Sequence, residues 1–154
     1  MGVGGATRSL IAQLPLGSSL TILGVESALD LGTGCGVVAL YFARAGAQRV
    51  VATDSSGRAL RMARANARLN REAQRIEFRQ GNLFEPVASE RFTCIASNPP
   101  FVITPRSSDD TAERYEYRDG GMTGDAFAEC VVREAPAFLE PGGTFVCLAN
   151  WESH

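Results

Sequence analysis

Asp30-Leu31-Gly32-Thr33-Gly34-Cys35-Gly36 decides how this chain is read. A short apolar run, Ser27 to Leu31, leads into three glycines at alternate positions, and an apolar helical pattern, Val37 to Ala45, leads out. Strand, glycine turn and helix in that order form the first unit of an α/β sheet. Glycine permits positive φ and lets backbone N–H groups come close to a ligand. Arg49 to Thr53 reads as a second strand ending at Asp54, about twenty residues after the turn, where α/β folds put a carboxylate on ribose hydroxyls. A dinucleotide fingerprint would want glycine at position 37, which is Val37, so a nicotinamide or flavin cofactor is disfavoured. Asp30 would repel a pyrophosphate and attract an ammonium or sulfonium group, which suits S-adenosylmethionine, a ligand with both cations and no phosphate. The plainer alternative makes the turn structural, with Asp30 as a local cap.

Outward from the turn, the alternation of strand and helix continues. Ser55 and Ser56 are placed to cap a helix running to about Asn70. Ile76 to Arg79 reads as a third strand, Phe92 to Ser97 as a fourth and Thr144 to Leu148 as a fifth. A helix is expected from about Asp125 to Leu139, closed by Pro141-Gly142-Gly143. Thr104 to Met122 is polar and charge-rich and reads as a mobile loop. The fold class is therefore α/β: a Rossmann-like, doubly wound parallel sheet with helices on both faces. Residues 1–24 form a separate N-terminal segment, in which Thr7 to Leu14 is a short helix, lying either over the cofactor site or on the sheet edge; residues 25–154 form the cofactor-binding domain.

With 154 residues and 45% hydrophobic content the chain holds one core. Its net charge of −2 gives no overall nucleic-acid footprint, although all fifteen basic residues are arginine. The four cysteines have no CxxC spacing, which argues for a reducing cytoplasm and against a structural metal. No stretch reaches the length of a membrane span, and residues 1–5 lack a signal-peptide pattern.

Asn98-Pro99-Pro100-Phe101 follows the fourth strand. Two prolines cannot extend a sheet ladder, because neither has an N–H. They leave a stiff loop with an amide side chain and free carbonyls. Asn98 Oδ1 and the Pro99 carbonyl can each accept an N–H from a planar nitrogen, freeing its lone pair for attack on a methyl group, while Phe101 stacks on its plane. The bland alternative is an ordinary turn. Asp30, Gly32, Thr33, Gly34, Gly36, Asp54 and Ser55, with Asn98, form the expected cofactor set; Asn82 and Leu83, after the third strand, would meet the adenine edge. Arg106, Tyr115, Tyr117 and Arg118, just beyond the proline loop, would clamp a substrate backbone and stack a base. Arg58, Arg61, Arg64, Arg68 and Arg71 recur at helical spacing, either facing phosphates or forming a solvated face.

From about Ala28 to Ala149 these features resemble the class I S-adenosylmethionine-dependent methyltransferases, in particular the small-domain group with an Asn-Pro-Pro-(Phe/Tyr) signature. Tyr117-Arg118-Asp119-Gly120-Gly121, followed by Gly124-Asp125, is similar to a segment of glutamine methyltransferases acting on peptide-chain release factors. The same signature occurs in enzymes that methylate base amines in RNA or DNA. The resemblance implies Asn98, Pro99, Pro100 and Phe101 as the catalytic motif and S-adenosyl-L-methionine as cofactor. It also implies a sixth and seventh strand that this chain does not reach. Two departures stand out, the missing strands and Asn82 at a place where relatives often carry aspartate. The expectation is a cytoplasmic N-methyltransferase acting on an exocyclic base amine of RNA or DNA. The alternatives are a protein glutamine substrate, or a non-catalytic cofactor- or RNA-binding fragment.

Overall fold

The computed structural model describes residues 4–14, 25–98 and 126–149. Among these residues four helices, α1 (Gly5–Gln13), α2 (Val37–Arg44), α3 (Gly57–Leu69) and α4 (Ala126–Glu134), accompany five strands. The strands are β1 (Ser27–Leu31), β2 (Arg49–Asp54), β3 (Ile76–Gln80), β4 (Phe92–Ser97) and β5 (Leu139–Cys147). They form one sheet in the order β3-β2-β1-β4-β5, every neighbouring pair parallel. The chain thus winds outward from β1 to β3 and then returns to lay β4 on the other side of β1. At such a reversal the loops after the two strands diverge and leave a crevice beyond their carboxyl ends, the usual ligand position in open α/β sheets.

Side-chain alternation along the strands divides the core. Ala28, Val50, Ala52, Cys94 and Ala96 pack with Leu10 and Leu14, with Val38, Ala39, Phe42 and Ala43 of α2, and with Ala67 of α3. Leu29, Leu31, Val51 and Ile95 face the other way, onto Phe84, Val87, Val131 and Ala135. The central strands β1, β2 and β4 are buried on both faces, as parallel strands between helical layers must be, and the outer strands β3 and β5 are partly exposed. Burial raises the Cys94 thiol to about 12, so it packs as a small hydrophobe.

The C-terminal elements differ from the expected helix Asp125–Leu139 and strand Thr144–Leu148. The α-helix stops at Glu134 because Pro136 has no N–H to continue it, and Ala135–Phe138 tighten into a 3-10 turn. Strand β5 begins at Leu139, which pairs with Phe92, and the ladder resumes with Thr144 opposite Cys94. Residues 140–143 therefore bulge outward opposite the single residue Thr93, so Pro141-Gly142-Gly143 interrupts a strand instead of ending a helix.

The glycine turn is packed from beneath. Gly36 is the N-cap of α2 at φ 85°, and a Cβ there would lie 2.9 Å from Ala63 Cβ of α3. Lacking a side chain, Gly36 cannot cap the helix, and Asp30 does so from β1. Its Oδ2 accepts the Ala39 N–H at 2.9 Å and the Thr33 hydroxyl at 2.6 Å. Burial raises the Asp30 carboxyl from 3.8 to about 6; the bonds from Thr33 and Ala39 oppose that rise, and the nearby charge of Asp54 adds to it. Across the second face Glu90 bridges Arg49 and Arg79, and Arg79 also holds Glu77. Hydrogen bonds from Arg79 are the main cause that lowers both carboxyls.

Gly36→Ala is expected to cost about 3 kcal/mol in urea unfolding, from left-handed strain and overlap with α3. An Ala63→Gly background removes the Cβ overlap and leaves the strain and the 3.1 Å approach to the Ala63 Cα, so the increment should fall to about 2 kcal/mol; simple additivity would refute the packing account. A second prediction concerns pH. Because the folded protein holds the Asp30 proton more tightly than the unfolded chain, this group's stabilising contribution is complete below about pH 4. It is lost as pH rises through about 6, a change on the order of 3 kcal/mol. Glu77 and Glu90 act in the opposite sense, their stabilisation being lost as pH falls. The reading is therefore the difference between wild type and Asp30→Asn across pH 4 to 7, and a pH-independent difference would refute it.

Candidate active site

The expected cofactor residues converge at the carboxyl ends of β1, β2 and β4. The paired rows run Ala52–Asp30–Ala96 and then Thr53–Leu31–Ser97. One residue further on, Asp54, Gly32 and Asn98 lie side by side at the edge of the sheet, with Asp30 one pleat below on the same face. Ser97 closes the seam between the two central strands by donating its hydroxyl to the Leu31 carbonyl at 3.0 Å.

The glycine loop is tied to its surroundings bond by bond. Gly32 and Thr33 donate their N–H groups to the Thr53 carbonyl at 3.0 and 2.8 Å, Gly34 donates to Asp54 Oδ2 at 2.9 Å, and Gly36 donates to the Thr33 carbonyl at 2.8 Å. Four of the five amides from Gly32 to Gly36 therefore already have protein acceptors. A phosphate-binding nest needs such amides free. The loop is instead a preformed rim beside two carboxylates, which favours a cationic, phosphate-free ligand. Gly32 and Gly34 have positive φ, and a Cβ on either would meet nothing within 4 Å among the described residues. That open side permits close approach of a ligand to the backbone.

Asp54 already has partners in the protein. Besides the Gly34 N–H, it accepts the Ser56 N–H on Oδ1 at 2.9 Å, and the Ser56 hydroxyl in turn caps α3 by accepting from Ala59. A carboxylate has about four acceptor positions, so both oxygens retain capacity for hydroxyl donors. Ser55 is exposed, and its carbonyl accepts from Gln80 Nε2 at 3.1 Å. Thr33 is buried by its bond to Asp30, so its role here is to shape the loop.

Asn82 is exposed in the turn after β3, where it shares two hydrogen bonds with Glu85. Leu83 follows at φ 45°, a left-handed conformation that costs a branched residue energy, and it packs on the second core cluster. Both stand at the carboxyl end of β3 next to Asp54, since Asp54 pairs with Gln80.

Asn98 ends the described part of the motif. Its Oδ1 is buried and has no hydrogen-bond partner among the described residues, while its Nδ2 donates to Thr7 Oγ1 of α1 at 3.4 Å. Most buried acceptors are paired, so an orphan at a crevice marks a place for a ligand's donor. Pro99, Pro100, Phe101, Arg106, Tyr115, Tyr117 and Arg118 lie outside the described residues, as does the Thr104–Met122 loop. Arg58, Arg61, Arg64 and Arg68 are exposed on α3, whereas Arg71 lies beyond its end. Arg64 bonds the Phe78 carbonyl at 3.1 Å and rests over its ring, a packing role. Two contacts escape a linear reading. Asn66 of α3 donates to the Cys35 carbonyl at 2.8 Å and so holds the loop, and Thr7 reaches Asn98. The apolar spacing Leu10–Leu14 signals only that α1 is docked.

Among the described residues no helix is long and apolar enough to cross a membrane, and no three His, Cys, Asp or Glu side chains gather as a metal site.

Known proteins place this arrangement. The chain is 37% identical over 123 residues to the release factor glutamine methyltransferase of Synechocystis sp., an alignment covering 75% of this chain and 41% of that protein. It is 33% identical over 128 residues to the ribosomal protein uL3 glutamine methyltransferase of Bradyrhizobium diazoefficiens, covering 80% of this chain and 40% of that protein. It thus spans well under half the length of either relative. Its fold matches the ribosomal protein L11 methylase of Lactobacillus delbrueckii subsp. bulgaricus with a TM-score of 0.63 at 19% identity, over 92% of this chain and 56% of that one. Residues 3–115 match the methyltransferase small domain, and the chain belongs to that family.

Proposed function

We propose that this chain is the cofactor-binding part of an S-adenosylmethionine-dependent methyltransferase that acts on the side-chain amide nitrogen of a protein glutamine. The observation that carries the reading is the buried, unpartnered Asn98 Oδ1 at the crevice between β1 and β4, next to the glycine loop and Asp54. The names of the release factor and uL3 relatives favour glutamine over the base amine expected from sequence alone.

The residues present suit the cofactor. Asp54 offers acceptors for ribose hydroxyls, Gly32 and Gly34 leave room for close backbone approach, and the negative charge of Asp54 favours a cationic ligand. When bound, S-adenosylmethionine supplies an electrophilic methyl group on sulfur. The protein's task is to prepare the nitrogen. In a carboxamide the nitrogen lone pair is delocalised, and the NH₂ group is planar. Asn98 Oδ1 accepts one of its N–H groups at about 3 Å, which orients the nitrogen and favours pyramidal geometry. The Pro99 carbonyl takes the second N–H, and Phe101 stacks on the amide plane. Charge that builds on nitrogen meets these fixed dipoles, so no strong base is required before attack. The proton displaced by methylation leaves to water. Arg106, Tyr115, Tyr117 and Arg118 are assigned to gripping the substrate chain.

The test is transfer of labelled methyl from S-adenosylmethionine to a purified bacterial release factor and to fractionated cell extract. Label should survive nuclease and be removed by protease; label lost to nuclease would return the substrate to a base amine. Asn98→Ala should lower transfer roughly 100- to 1,000-fold, the scale of losing one preorganised polar group, with S-adenosylhomocysteine still binding. Wild-type transfer by that variant would overturn the mechanism, and cofactor binding with no transfer by wild type would indicate a non-catalytic module.

A further inference from the structure

We propose that Thr7 is a positioning residue, which fixes the rotation of the Asn98 amide so that Oδ1 faces the target nitrogen. The inference rests on the reading of Asn98 given above and extends it to an element that no cofactor or substrate motif includes.

Helix α1 is only nine residues long and begins without a side-chain cap, so its own propensity cannot hold it in place. Leu10, 1% exposed, and Leu14 anchor it in the core cluster with Ala28 and Ala96. Thr7 stands three residues before Leu10, on the same side of the helix. Asn98 stands two residues after Ala96, on the same face of the sheet. The packing that buries Leu10 against the β1–β4 region therefore also brings Thr7 to the carboxyl end of β4. There Thr7 Oγ1 accepts the Asn98 Nδ2 proton at 3.4 Å.

A carboxamide has a donor end and an acceptor end on one rigid plane, so holding one end fixes the other. With Nδ2 engaged by Thr7, Oδ1 is the end left buried without a partner among the described residues. Leaving such an acceptor unpaired is costly, and a substrate N–H would recover that cost on binding. If the plane turned over, the crevice would present a second donor to the target N–H groups, and they would repel. In the orientation seen, the hydroxyl on α1 accepts from Nδ2 and so holds the amide plane in place before substrate arrives, which is how preorganised polar sites gain rate.

Thr7→Val keeps size and β-branching but removes the acceptor, and Thr7→Ser restores it. Three readings are compared in the whole chain: kcat and KM for labelled-methyl transfer to the release factor, S-adenosylhomocysteine affinity by calorimetry, and the side-chain amide resonances of Asn98. Thr7→Val is expected to lower kcat roughly 10- to 100-fold, with KM and cofactor affinity changed less than about threefold. The Asn98 Nδ2 resonances should shift in Thr7→Val and return in Thr7→Ser together with kcat. Wild-type kcat in Thr7→Val, while Asn98→Ala is inactive, would overturn the positioning role alone. An unmoved Asn98 signal would overturn it too. Wild-type transfer by Asn98→Ala would instead overturn the reading of the site, and the two failures are told apart in this way.

Discussion

One oxygen of Asp30 joins a strand, a turn and a helix. Oδ2 accepts from Thr33 in the loop and from Ala39 in the first turn of α2, while its own backbone pairs in β1 between β2 and β4. The helix needs this acceptor because its N-cap is Gly36, and Gly36 must be glycine because φ is positive and α3 leaves no space for a Cβ. The loop needs it because Thr33 would otherwise be a buried hydroxyl without a partner. Burying a carboxylate is unfavourable, and its raised proton affinity registers that cost. The benefit is that the turn's shape is set from inside the protein, before any ligand binds.

The same economy extends to Asp54 and Asn98. Asp54 holds the loop through Gly34 and starts α3 through Ser56, yet keeps acceptor capacity toward the crevice. Asn98 is held at one end, and Oδ1 at the other is buried without a partner among the described residues. Asp54 and Asn98 therefore each have a protein contact that fixes them and acceptor capacity left over. A site built this way loses little order on binding, because loop, helix ends and amide plane are already positioned. Asn66, holding the Cys35 carbonyl, extends the arrangement to α3.

The first four strands and the first three helices were legible because their apolar periods are strong and their ends carry punctuation. Ser27–Leu31 and Phe92–Ser97 are short apolar runs between turn residues, and Ser56 is a strong N-cap. The end of α4 was misjudged because the apolar pattern runs on through Phe138, whereas Pro136 breaks the hydrogen-bond ladder that pattern presumes. Pro141-Gly142-Gly143 looks like a terminator in one dimension. In the sheet it is a bulge on β5, tolerated because the ladder to β4 resumes at Thr144. The expectation of a nucleic-acid substrate rests mainly on Arg106, Tyr115, Tyr117 and Arg118, which lie outside the described residues, and less on the arginines of α3, whose helical spacing cannot separate a phosphate-binding face from a solvated one. Arg64, on that stripe, spends its guanidinium on Phe78.

From the residues alone came the α/β class, the order of its elements and the family resemblance, since hydrophobic period, glycine at positive-φ positions and the Asn-Pro-Pro-Phe motif are local properties of the chain. Tertiary structure decided which atoms serve which purpose. Asp30 caps α2 from another element, Asp54 is shared between loop and helix, and Thr7 meets Asn98 across 91 positions of sequence. The physical reason is that a polar side chain's role depends on which donors and acceptors burial leaves within about 3 Å of it, and that is set only when distant elements pack together.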